Sequence, residues 1–118
     1  MQESSVAQGL AEFVCEQISG MDLSHERVAM VKIRMGALCG VAPIALKTAF
    51  SAVVIGTPLQ SCRLEIEPIE LVVFCPHCHC ERVVGDIREL KCPTCGARTP
   101  RVIQGRELEI ASIETISQ

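Results

Sequence analysis

Two short cysteine pairs constrain this chain more than any other feature: Cys75-Pro-His-Cys78 and, beyond residues 79–91, Cys92-Pro-Thr-Cys95-Gly. A Cys-x-x-Cys pair closes a tight turn that aims both sulfurs at one point. Two such pairs at this separation suit a single tetrahedral ion. Four thiolates at about 2.3 Å complete the shell of Zn²⁺, an ion without redox chemistry or a preferred ligand field. A closed shell leaves no position for water or substrate, so the expected site is structural. The residues between the pairs are expected to return as a short hairpin, which makes the segment a zinc ribbon. Redox pairs or disulfides are the competing use of such cysteines. The chain begins Met1-Gln2-Glu3-Ser4-Ser5, with no basic start and no apolar stretch behind it. That pattern carries no secretory signal, so reduced thiols and a cytoplasmic setting are expected. No apolar run approaches the length of a membrane span, so no membrane association is expected.

Composition narrows the function classes. The chain has 118 residues, a net charge of −3, and neither Trp nor Tyr. This length suits a small domain with a metal-stapled module. Phe13, Phe50 and Phe74 are the only aromatics, and each falls in an apolar pattern. Nucleic-acid surfaces ordinarily combine a basic face with stacking rings, so nucleic acid is not an expected partner. There is no Gly-rich phosphate loop, nucleophile elbow or open-site zinc triad, and no enzyme activity is expected. Cys15, Cys39 and Cys62 lie in apolar patterns and read as small core hydrophobes.

Outside the cysteine pairs, periodicity alternates between helix and strand. Val6, Leu10, Phe13, Val14 and Ile18 recur at helical spacing, with Ser5 and Gln8 as a capping box and Gly20 at the end. From Arg27 to Met35, Val31, Ile33 and Met35 alternate with Lys32 and Arg34, a half-buried strand closed by Gly36. A second helix is expected from Pro43, with Leu46, Ala49, Phe50, Val53 and Val54 on its apolar face and Gly56-Thr57-Pro58 as its stop. Alternation returns from Cys62 to Glu70, in a ribbon strand from Arg101 to Gln104, and from Glu107 to Ile116, where Leu108 and Ile110 are expected to be buried. The expected fold is α+β: a small sheet of about three strands with two helices, plus an inserted zinc-ribbon domain. The body comprises residues 1–70 and 106–118, and the ribbon residues 71–105.

The ordered motifs resemble those of the HypA/HybF family of hydrogenase maturation factors. They run from Met1, Glu3, Ser5 and Ala7 through Gly36-Ala-Leu-Cys-Gly-Val41, Ala49-Phe50, Gly56-Thr57 and Leu64-Glu65-Ile66-Glu67. They close with the two cysteine pairs, Gly105-Arg106-Glu107-Leu108 and Glu114. The resemblance implies a nickel metallochaperone, with zinc in the ribbon and a nickel-type site at Met1, Gln2 and Glu3. It implies a HypB-type GTPase and the large subunit of nickel–iron hydrogenase as partners, and a homodimer stays open. The chain departs from the family at its second residue, where Gln2 stands in place of a histidine. An imidazole nitrogen is a good donor for tetragonal nickel, whereas an amide nitrogen has a delocalised lone pair. Impaired nickel binding is therefore expected. Ala37 also stands where many relatives carry a carboxylate. Three readings stay open: a variant with crippled nickel binding, a paralogue that docks partners without carrying nickel, or nickel held elsewhere. His77, His79 and Cys80 form a second donor cluster beside the first pair and are the alternative ligands. His25 reads as a surface residue. The competing function class is a zinc-ribbon module that binds protein or nucleic acid without nickel transfer.

Overall fold

The computed structural model describes residues 3–20, 26–85, 87–99 and 101–117. His25 and the N-terminal Met1 and Gln2 lie outside them. The order of elements is α1 (Glu3–Ser19), β1 (Glu26–Gly36), α2 (Pro43–Val53), β2 (Arg63–Ile69), β3 (Val72–Cys75), β4 (Cys80–Val83), β5 (Arg101–Gln104) and β6 (Leu108–Ser117). The fold is α+β, with two helices and two sheets of three strands. It divides into two compact units: Met1–Ile33 with Gly40–Ile66 and Ile110–Gln118, and Arg34–Cys39 with Glu67–Glu109.

In the first unit, α1 packs along α2. Its buried row is Ala7, Ala11, Val14 and Ile18. The expected stripe through Val6, Leu10 and Phe13 is therefore rotated, and Phe13 is 47% exposed. Alanines one turn apart let two helix axes approach closely, so the narrow row turns inward and the ring turns out. The helix also begins at Glu3, ahead of the expected Ser5 cap, with an acidic side chain in its first turn. A carboxylate there complements the positive end of the helix dipole. Pro43 opens α2 as expected, after an extended Ala42 (φ −79°, ψ 128°), the conformation that a following proline imposes. Leu46, Phe50 and Val54 are buried from this segment. Past its end, Thr57 Oγ1 donates to the Val54 carbonyl at 2.6 Å and Gly56 adopts φ +79°.

The helices accompany a sheet of order β2-β1-β6. The terminal strand pairs with β1, so everything between β2 and β6 is an insertion in chain order. Burial along β1 changes parity: Val28 and Met30 are buried, then Val31, Ile33 and Met35. Pro68 is exposed on β2, an edge strand where a missing N–H is tolerated. Leu108 and Ile110 on β6, the other edge, were expected to be buried and are each half-buried, because an edge strand is covered on fewer sides.

The second unit holds the sheet β4-β3-β5, with β3 antiparallel to both neighbours. β4 was not expected from the periodicity. Its core is Leu71, Val73 and Val84, against which Leu38, Leu90 and Val102 pack. Two glycines make a tight crossing here. The Gly36 N–H donates to the Glu107 carbonyl at 2.7 Å, and the Leu38 N–H to the Gly105 carbonyl at 2.6 Å. A Cβ on Gly36 would strike the Gly105 carbonyl, so the approach requires glycine. Arg34 and Glu109 pair across the surface at 2.8 Å, a contact expected to add little stability in water.

Candidate metal centre

Each cysteine pair sits in the same local turn. β3 ends at Cys75, β4 begins at Cys80, and these two residues face each other in the hairpin register. The His79 N–H donates to the Cys75 carbonyl at 2.8 Å, and the Cys78 N–H approaches Cys75 Sγ at 3.3 Å. The second pair repeats the arrangement: the Gly96 N–H donates to the Cys92 carbonyl at 2.8 Å. The residue after each second cysteine takes a left-handed backbone, φ 56° at His79 and 76° at Gly96. Glycine adopts that conformation at no steric cost, whereas His79 carries a side chain through it. A short bridge between Lys91 and Arg98 holds the second turn closed.

These turns bring four sulfurs together. Cys75 Sγ lies 3.5 Å from Cys95 Sγ, and Cys78 Sγ lies 3.9 Å from Cys92 Sγ. All four sulfurs are within 4.8 Å of one another. A regular tetrahedron with metal–sulfur bonds of about 2.3 Å requires edges of roughly 3.8 Å. The observed separations bracket that value, so the residues fit a four-coordinate ion. They do not fit disulfides, whose sulfurs lie about 2.05 Å apart; all eight cysteines are free thiols. The four-cysteine cluster is thus a metal-binding arrangement.

The thiols are electrostatically unequal. Burial opposes ionisation of Cys92, but the backbone N–H groups of Cys95 and Thr94, with the Cys95 and Cys75 thiols, bring it down to about 6. Cys78 is pushed up to about 12, first by its hydrogen bond with Cys95 and then by burial. Crowded sulfurs cannot all carry charge without a cation among them, so metal binding and proton release are coupled here. One cation already stands nearby. Arg82, opposite Val73 on β4, has its pKa raised by hydrogen bonds to Cys78 and Cys92. The periodicity reading passed over this residue. Its signal was the two-residue offset from Cys80, which puts both on one face of the strand.

The remaining candidates are dispersed. His77 and His79 are exposed and Cys80 is half-buried. None of the three belongs to the four-sulfur group, the one such cluster of metal-ligating side chains among the described residues. Glu3 is half-buried in the first turn of α1, Ala37 is exposed, and Met1 and Gln2 are outside the described residues. Cys15, Cys39 and Cys62 are each half-buried. Burial and then the nearby Cys15 push the Cys62 thiol up.

Residues 1–115 match the family described as "Hydrogenase/urease nickel incorporation, metallochaperone, hypA". The chain belongs to the HypA family. Its HypA-family relatives include "Hydrogenase maturation factor HypA" of Chloroflexus aurantiacus, 35% identical over 115 residues, with 98% of this chain and 99% of the relative covered. The protein of the same name from Deinococcus radiodurans is 39% identical over 110 residues, covering 93% and 89%. Among solved structures, the "Ni metallochaperone HypA from Helicobacter pylori" superposes with a TM-score of 0.63 at 19% identity, covering 100% of each chain. A second, titled "Solution structure of HypA protein", gives 0.70 at 18% identity, covering 100% of this chain and 98% of that one. At these identities the structures establish a shared fold. No helix among the described residues is long and apolar enough to cross a membrane.

Proposed function

We propose that this chain is a nickel metallochaperone-type maturation factor for nickel–iron hydrogenase, acting in the cytoplasm by binding and handing over metal instead of catalysing a reaction. The observation that carries the reading is a four-sulfur cluster, its sulfurs all within 4.8 Å of one another, within a chain matched to the HypA family over residues 1–115. Cys75, Cys78, Cys92 and Cys95 are assigned to zinc, which when bound supplies a closed shell that ties the two turns together. Their role is to fix residues 71–105 as a ribbon domain, with residues 1–70 and 106–118 as the nickel-type domain. Nickel is cargo, taken at the N-terminus by the Met1 amine, backbone nitrogens and Glu3. A HypB-type GTPase and the hydrogenase large subunit are the proposed partners, and a second copy of the chain is a further one.

Gln2 limits this function. Without an imidazole at position two, the N-terminal site lacks a strong nitrogen donor. Gln2→His is expected to tighten nickel binding by more than tenfold, which corresponds to more than about 1.4 kcal/mol. Zinc content should not change. The test is a paired calorimetric nickel titration of zinc-loaded wild type and Gln2→His, each with a free terminal amine. Equal, tight binding by both would move nickel away from the N-terminus, with His77, His79 and Cys80 as the next candidates.

A further inference from the structure

Four thiolates around one divalent ion leave an excess of negative charge, which resides on the sulfurs. Such sulfurs stay open to electrophiles and competing metals unless a neighbouring group engages their lone pairs. Strand β4 supplies that neighbour. Cys80 faces Cys75 across the hairpin, and Arg82 faces Val73. Residues two apart on a strand share a face, so Arg82 stands on the face that carries the ligand Cys75. Val73 and Cys75 are fully buried there. Arg82 is half-buried, and its Nε is enclosed without a hydrogen-bond partner. The guanidinium therefore meets the cluster from within the protein, where water screens its charge less than in open solvent.

The leading contacts of the Arg82 side chain are hydrogen bonds to Cys78 and Cys92, ahead of the field of Cys80. These sulfurs come one from each cysteine pair and lie 3.9 Å apart. A guanidinium carries several N–H donors in a rigid plane, so one head group can serve both. A lysine ammonium is a point charge without that fork.

We propose that Arg82 is a positioning residue of the metal centre: by bridging the Cys78 and Cys92 sulfurs, it makes the four-cysteine site retain zinc against competing ligands. The role rests on the assignment of zinc to the four cysteines and extends it to a residue that binds no metal. A charge-assisted hydrogen bond occupies a sulfur lone pair and spreads its negative charge. A sulfur so engaged is a poorer nucleophile and keeps its bond to the ion. The two knuckles then stay tied across the Cys78–Cys92 edge. For a carrier of metal this divides the labour: the ion of the ribbon stays while the cargo moves.

The experiment compares the zinc-loaded full chain with its Arg82→Gln, Arg82→Lys and Arg101→Gln variants. Arg101 faces Phe74 and lies 5.6 Å from its ring. It is therefore on the opposite face of the sheet from Arg82, and its variant removes an equal charge away from the cluster. Zinc transfer to excess pyridylazoresorcinol should be about tenfold faster in Arg82→Gln, with Arg82→Lys between it and wild type. Arg101→Gln should match wild type. Limited alkylation with substoichiometric iodoacetamide, read by tandem mass spectrometry, adds a readout that a purely structural role would not move. Each event forms a sulfur–carbon bond, expels iodide and breaks one zinc–sulfur bond. In Arg82→Gln the first modification should shift towards Cys78 and Cys92, while Cys75 and Cys95 keep their wild-type rates. Zinc transfer from Arg82→Gln within about twofold of wild type would overturn the proposal. So would equal acceleration at all four sulfurs, or the same effect from Arg101→Gln. Wild type that holds no zinc after loading would overturn the zinc assignment itself, and the role of Arg82 with it.

Discussion

Gly105→Ala tests the tight crossing in the second unit. Gly105 has φ +124°, a backbone region that L-residues rarely adopt. Holding a side-chain-bearing residue there costs about 1–3 kcal/mol. The new Cβ would also lie 2.9 Å from Leu71 Cα and 3.0 Å from Leu71 Cδ1. Leu71 is 1% exposed and belongs to the core of its unit, so it has nowhere to swing. Overpacking of that kind adds about 1–3 kcal/mol. The expected loss is therefore about 2–6 kcal/mol, or a fall of roughly 6 °C or more in melting temperature for a chain of this size. Gly9→Ala is the paired control. Gly9 is exposed in α1, and a Cβ added there would meet nothing within 4 Å. There the same chemical change removes backbone entropy from the unfolded chain and should stabilise by about 0.5–1 kcal/mol. Thermal unfolding of both variants, zinc-loaded and followed by circular dichroism, reads the opposite signs directly. A Gly105→Ala melting temperature within about 2 °C of wild type would refute the argument that close approach and positive φ demand glycine.

Other perturbations separate the metal, the core and the partner surface. Cys92→Ala removes one vertex of the sulfur cluster, and structural zinc contributes on the order of 10–16 kcal/mol to small modules. Elemental analysis should show most of the zinc lost, and amide exchange should show protection lost in the second unit but kept in the first; a full equivalent of zinc would sink the assignment. Phe50→Ala deletes a ring that is 1% exposed and should cost about 3–5 kcal/mol in denaturant unfolding, with zinc content unchanged; a loss below about 1 kcal/mol would mean that the site collapses around the deletion. Glu12 and Glu16 lie on the exposed face of α1. Reversing both charges should slow association with a HypB-type GTPase by roughly tenfold at low salt. Unchanged kinetics in a surface-capture assay would remove that helix face from the interface.

The cysteine spacing alone indicated the metal cluster because knuckle geometry is local. Two residues between cysteines set the turn, and the structure adds the S–S distances of 3.5 and 3.9 Å. Pro43 and the Leu46, Phe50, Val54 row were legible in the same way, since proline fixes its own φ and a helix repeats its face every few residues. The Arg101–Gln104 strand was read with the bounds that the structure shows. Where composition was uniformly apolar, periodicity was a poorer guide. The α1 sequence offers adjacent rows, and hydrophobicity favours the one with Phe13. The neighbouring helix selects the row with Ala7 and Ala11 because backbone proximity outweighs side-chain size.

Features that depend on distant residues were hidden for a different reason. Arg82 is an ordinary charged strand residue until β4 pairs with β3 and aligns it with Val73. Gly36 and Gly105 each read as a strand end or a turn, and their mutual need for hydrogen side chains arises only where the chain crosses itself. Lys91 and Arg98 are plain surface cations seven positions apart, but the bridge between them sets like charges face to face beside the buried Thr99 hydroxyl. Local sequence was enough for most of the elements and for the four-cysteine cluster, because turn geometry and periodic burial act over a few residues. Which helix face is covered, which glycines are irreplaceable and which charges meet were settled by folding, because packing and electrostatics act between residues that the chain brings together only in its folded state.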